Sequence, residues 1–161
     1  MVWNKLDTKT LTGTADEIVT DIIEVKKCLQ IISNVLASGI MDYQQRFGNT
    51  TIDTADNYAR RQTLNGAIAT SAPRSNIDEG STATATPHMM VSNVINLSSN
   101  EKLVQTLFVN AGSLGAGNPP NVSITYGKWT NTSNQIDILN VYNSQAGDYA
   151  TGSNVSVFGT D

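Results

Sequence analysis

Between Met89 and Leu97 the apolar and polar positions alternate, with Met89, Val91, Ile95 and Leu97 on one face of a period-two strand and Met90, Ser92, Val94 and Asn96 on the other. Punctuation at Ser98-Ser99-Asn100 separates this strand from the apolar run Leu103 to Val109, which stops at Asn110-Ala111-Gly112. Val122, Ile124 and Tyr126 alternate with Ser123 and Thr125, and a further strand opens at Ile136 and Ile138. There the apolar phase moves to Leu139 and Val141, which predicts a β-bulge between Ile138 and Asn140. Val155 to Phe158 forms the last strand. Strands at this spacing predict a sandwich or jelly roll.

The N-terminal third supports two readings. Thr14-Ala15-Asp16-Glu17 has the form of a capping box, and Ile18, Ile22, Val25, Leu29, Ile32 and Leu36 recur at helical spacing up to Gly39. The same segment is dense in β-branched residues, which lose rotamer freedom in a helix. It divides equally well into strands at 5–11, 17–23 and 27–37, with a turn at 24–26. Asn65 to Pro87 shows little periodicity and reads as long loops with room for one short strand. Gly112 to Pro120 reads as a second long surface loop, because Pro removes ladder donors and Gly admits positive φ.

Composition sharpens the β reading. Asn, Ser and Thr make up roughly 30% of the 161 residues, while charged residues are only 15%, well under the usual ~25%. Thr suits a pleated strand, and Asn and Ser suit the turns between strands. A net charge of −4, with no cationic cluster larger than Lys26-Lys27 or Arg60-Arg61, speaks against phosphate-driven nucleic-acid binding. No apolar run approaches the roughly 20 residues of a membrane span, and the N-terminus lacks signal-peptide character. The lone Cys28 forms no internal disulfide and reads as a small core residue.

A string of short motifs carries a family resemblance. Arg46-Phe47-Gly48-Asn49, Asn57-Tyr58-Ala59-Arg60-Arg61 and Asn65-Gly66 come first, then Ile95-Asn96-Leu97 with Glu101-Lys102-Leu103. Gly115-Ala116-Gly117-Asn118-Pro119-Pro120 and Gly127-Lys128-Trp129-Thr130-Asn131-Thr132-Ser133 follow, and Gly147 to Ser153 leads into Val157-Phe158-Gly159. In this order the motifs resemble a β-sandwich family of virion proteins from tailed phages and archaeal viruses, which includes tail-fibre terminal domains and uncharacterised virus surface proteins. The resemblance runs nearly end to end and implies strands across Trp3 to Gly39. One departure is Gly48, where relatives often carry Asn. The family shares no enzymatic activity or cofactor that the resemblance would transfer.

Candidate chemistry is sparse. His88, the single histidine, lacks a G-x-S-x-G elbow and reads as a satisfied or exposed loop imidazole. Asp53, Asp56 and Asn57 have the chemistry of an oxygen-lined Ca²⁺ site, but Asp and Asn at this spacing are ordinary turn formers. Asp53, Asp56, Asp78, Glu79, Glu101 and Asp148 are the carboxylates among which a glycosidase pair would be sought, and they read as solvated loop charges. Trp3, Trp129 and the five tyrosines could stack on sugars, with packing the more ordinary use. Asn-x-Ser/Thr matches at Asn49, Asn96, Asn121, Asn131 and Asn154 follow from composition, and Asn96 and Asn154 fall in predicted strands.

The expectation is an all-β fold: one antiparallel β-sandwich of jelly-roll type with long loops, spanning 1–161 and using no metal or cofactor. Its core should contain Ile31, Phe47, Val91, Ile95, Leu107, Ile124, Trp129, Ile138 and Val157. Its expected role is non-enzymatic, on a virion surface, as capsid decoration, turret, tail fibre or receptor-binding component. The expected partners are its own copies, a trimer first, together with other capsid or tail proteins and a host surface glycan, with no nucleic acid and no membrane insertion. Leu114, Pro119 and Pro120, with the 72–86 segment, are the expected interface. The alternative is a carbohydrate-binding module.

Overall fold

The computed structural model of the protein describes residues 2–82, 86–113 and 115–161 and shows two facing antiparallel sheets. None of the described residues is helical. The larger sheet has eight strands in the order β1 (Asn4–Thr10), β13 (Asn154–Thr160), β3 (Cys28–Leu36), β9 (Pro87–Ile95), β10 (Lys102–Asn110), β11 (Asn121–Trp129), β6 (Tyr58–Leu64) and β7 (Ala67–Arg74). The smaller runs β2 (Glu17–Val19), β12 (Ile138–Tyr142), β4 (Met41–Asn49) and β5 (Thr51–Ile52), with β8 (Ile77–Thr82) also paired to β4. The fold is a β-sandwich.

The N-terminal third is β. Its helical spacing is accidental, because Ile22, Val25 and Leu36 are exposed while Ile18 and Leu29 are buried, so these positions share no common face. The expected long loop at 65–87 is corrected: it supplies β7 and β8. Asn65 and Gly66, both at positive φ, close the β6–β7 hairpin, the turn that this dipeptide favours. β8 then enters the interior with Ile77 and Glu79 fully buried.

The predicted bulge at Ile138 to Asn140 is also absent, since β12 pairs in unbroken register with β2 and β4. The change of phase arises earlier. Ile136 lies ahead of the strand, where its backbone N–H donates to Asn96 Oδ1 at 2.7 Å and its carbonyl accepts from Asn96 Nδ2 at 3.0 Å.

Between the sheets, Tyr43 packs its ring 5.4–5.6 Å from those of His88, Phe108 and Tyr149. Trp129, Tyr58 and Phe47 fill the other end. Sheet edges are short or interrupted. β1 alternates Lys5, Asp7 and Lys9 with a register shift between Lys5 and Asp7, β7 carries Pro73, and β2 and β5 have three and two residues.

Candidate functional site

Of the expected core residues, Ile31, Phe47, Trp129 and Val157 are buried. Val91 and Ile138 are only partly buried, and Ile95, Leu107 and Ile124 are exposed. For Val91, Ile95, Leu107 and Ile124 the correction has one cause: at this level the central strands of the large sheet turn polar residues inward. Ile31, Ser92, Thr106, Thr125 and Gln62 lie side by side across β3, β9, β10, β11 and β6, and all but Ile31 are polar. Gln45 from β4 and Glu79 from β8 descend onto this line from the opposite sheet. Gln45 Nε2 donates to Ser92 Oγ at 2.8 Å and to Glu79 Oε1 at 3.2 Å, and the Ser92 and Thr106 hydroxyls are 2.8 Å apart. Gln62 Nε2 donates to the Glu79 carbonyl and to Ser123 Oγ. A buried polar cluster thus stands where an apolar core would be expected, with Gln45 Oε1 and Glu79 Oε2 left without a hydrogen-bond partner.

Burial pushes the Glu79 carboxyl up to about 7, against the weaker opposing influence of the Thr125 and Thr106 hydroxyls. His88, expected as a loop imidazole, is buried in β9 between Tyr43 and Phe108, and burial lowers it to about 4. Its Nε2 lies 3.3 Å from Thr86 Oγ1. Both groups are buried between the sheets.

The other candidates are also placed by their partners. Asp53 Oδ2 accepts from Trp129 Nε1 at 2.7 Å and from Asn57 Nδ2 at 2.9 Å, and Oδ1 accepts from Ala55 N–H, so the expected turn role fits. Among the described residues no group of three His, Cys, Asp or Glu is arranged to hold a metal. Asp78 pairs with Arg60 at 3.0 Å, Glu101 pairs with Lys128 at 2.7 Å, and Asp148 lies beside Asp16. Asn96 is fully buried. Cys28 is not a core residue: it is half-buried on the outer side of β3.

The outer face of the large sheet is the unusual surface. Ile32, Val91, Leu107 and Ile124 form one cross-strand line, and Met89, Val109 and Val122 form the next toward the β10–β11 loop. In the other direction lies a line of planar polar side chains, Gln30, Asn93, Gln105, Tyr126 and Arg61, and beyond it Cys28, Ile95 and Leu103.

Neither a protein-family model nor a curated protein matches this chain. The likeness to virion sandwiches therefore rests on its sequence motifs alone.

Two hollows mark the ends of the outer face. One, about 470 Å³, is lined by Leu36, Pro87, Met89, Val109 and Pro120, beside the β10–β11 loop. Pro119 and Pro120, expected at an interface, are both exposed there, while Leu114 lies outside the described residues. Of the 72–86 segment, Ala72 and Pro73 are exposed in β7, Ile77 and Glu79 are core residues, and 83–85 lie outside the described residues. The second hollow, also about 470 Å³, contains Trp3, Cys28, Ile95, Leu103 and Tyr126. Sequence reasoning named Trp3 and Tyr126 only among all the aromatics. Their exposure depends on which side of each strand faces the small sheet, and local alternation does not carry that information.

Proposed function

We propose that this protein is a non-enzymatic, jelly-roll-like structural subunit of a virus particle surface. It serves there as capsid decoration or turret, or as a tail-fibre or receptor-binding component, and works by self-association. One observation carries the assembly part: the outer face of the eight-stranded sheet is apolar where solvent should meet it. Leu107 and Ile124, paired across β10 and β11, are 41% and 39% exposed, and Met89 and Val122 extend the patch toward Pro119 and Pro120. A contiguous patch of this kind on a soluble protein marks an interaction surface. With no carboxylate or ammonium in its two apolar lines, it can be covered without stranding a charge. The virus setting is supported by the sequence motifs and self-association by the patch; the trimer is proposed with the virus setting.

Light scattering across concentration tests this reading. The expected result is a multiple of the subunit mass for the wild type and a monomer for Leu107→Lys and Ile124→Lys, with unchanged circular dichroism. A wild type that stays monomeric at every concentration and leaves purified virus particles undecorated would overturn it.

A further inference from the structure

The end of the outer face away from the Pro119-Pro120 loop has a different chemistry. Trp3 and Tyr126, 44% and 55% exposed, line one groove whose floor holds Ile95 and Leu103. The Asn93 and Gln105 amides line the same groove, adjacent to each other across β9 and β10. Tyr126 and the two amides stand on sheet strands and Trp3 comes from the segment just ahead of β1, and large exposed aromatics beside planar amides are what a sugar ring requires. The apolar C–H face of the ring stacks on an aromatic, its hydroxyls take hydrogen bonds from amides, and no loop must be ordered on binding.

A further hollow continues this groove, sharing Leu103, Tyr126 and Gly127 with it, and contains Arg61 and Lys128. Arg61 sits directly opposite Tyr126 in the β6–β11 register. It is exposed and pairs with no carboxylate among the described residues, whereas Lys128 is already bound to Glu101. From Gln30 to Arg61 the polar line crosses four strand spacings, about 19 Å, which is room for several sugar units. An unpaired guanidinium at the end of a groove whose other cations, Arg60 and Lys128, are already held by Asp78 and Glu101 selects for a carboxylate on the ligand.

We propose that the groove between Trp3 and Tyr126 binds an acidic oligosaccharide, its rings on the two aromatics and its carboxylate at Arg61. The groove flanks the apolar line proposed for self-association, Tyr126 lying two residues from Ile124 on β11. The two readings have different readouts, glycan binding for one and solution mass for the other, so failure of one is measured apart from failure of the other. A single-stranded nucleic acid would use similar stacking, but a groove with one unpaired cation has little to offer a run of phosphates.

An array of oligosaccharides bearing uronic or sialic acids, printed beside their carboxyl-reduced counterparts and an oligothymidine, tests the proposal. The expected result is binding to an acidic member that weakens at least tenfold on carboxyl reduction. Trp3→Ala and Tyr126→Ala should each weaken it at least tenfold, and Arg61→Gln should abolish the preference for the acidic form. All three variants are at exposed positions, and each should keep the wild-type circular dichroism spectrum and oligomeric mass. Binding to no glycan, equal binding of acidic and reduced forms, preference for oligothymidine, or insensitivity to both aromatic substitutions would overturn it.

Discussion

The Trp129 indole donates to Asp53 Oδ2 at 2.7 Å, tying the buried end of β11 to the turn that follows β5. Trp129 is among the largest fully buried side chains, so its single N–H has no alternative in water. Burial alone would raise the Asp53 carboxyl, but donation from Trp129, Asn57 and Ala55 holds it below its ordinary value. Asp53→Ala should therefore cost about 1–3 kcal/mol by stranding the indole N–H. The stabilisation from ionised Asp53 should be present above the ordinary aspartate range and lost as pH falls through its lowered value. Urea unfolding of wild type and variant at pH 7 and at pH 3 measures both, and the difference between them should shrink in acid.

Glu79 and His88 give opposing pH dependences. Native Glu79 keeps its proton up to about pH 7, whereas the unfolded chain releases it near 4.5, so its contribution makes stability fall across that interval by about 3 kcal/mol. Native His88 stays neutral down to about 4, whereas the unfolded chain takes up a proton near 6.5, so its contribution makes stability rise with pH by a similar amount. Between about pH 4.5 and 6.5 the two slopes should cancel. Glu79→Gln should expose the rising slope and His88→Phe the falling one, as read from denaturant midpoints at half-unit pH steps.

Gly48 tests both packing and the resemblance. A Cβ there would lie 1.9 Å from the Thr51 carbonyl oxygen, within the tight β4–β5 connection. The Asn that the resemblance leads one to expect at this place would require that connection to move. Gly48→Ala and Gly48→Asn should each lower stability by more than about 2 kcal/mol, measured as a fall in urea midpoint. A neutral Gly48→Asn would show that the connection adapts and that the departure from the family pattern is inconsequential.

The positions of several strands were legible because period-two runs act locally: β3, β9, β10, β11 and β13 lie close to where alternation puts them, whereas the hairpin that Asn65-Gly66 closes falls in a segment that reads as loop. The inside and outside of those strands were not legible. In β10, Leu103, Leu107 and Val109 compete with Val104 and Phe108 for the core, and the choice is made by Gln45 and Glu79, distant in sequence, which satisfy Thr106 and Ser92 from across the sandwich. The groove inherits the same ambiguity, since Trp3 and Tyr126 are exposed only once that choice is made.

Asn96 is the anchor of the segment before β12. Its amide donates to the Lys26 and Ile136 carbonyls and accepts from Ile136 N–H, with Gln135 Nε2 bound to its carbonyl. Despite its Asn-Leu-Ser context, it should stay unmodified when the folded protein meets a glycosyltransferase, as mass spectrometry of the tryptic peptide would show. Asn96→Ala should cost about 2–4 kcal/mol, because several buried polar groups lose their partners together.

The strand edges decide what kind of object such subunits can build. Registry-shifted and charged along β1, broken by Pro73 on β7, and only a few residues long at β2 and β5, they deny a neighbour the continuous backbone template on which fibres grow. Association through the sheet face, as proposed above, would be self-limiting, because apolar lines once covered offer no second place for the next copy. Under the proposed self-association, an apolar face with unreceptive margins favours assemblies of fixed number over fibres.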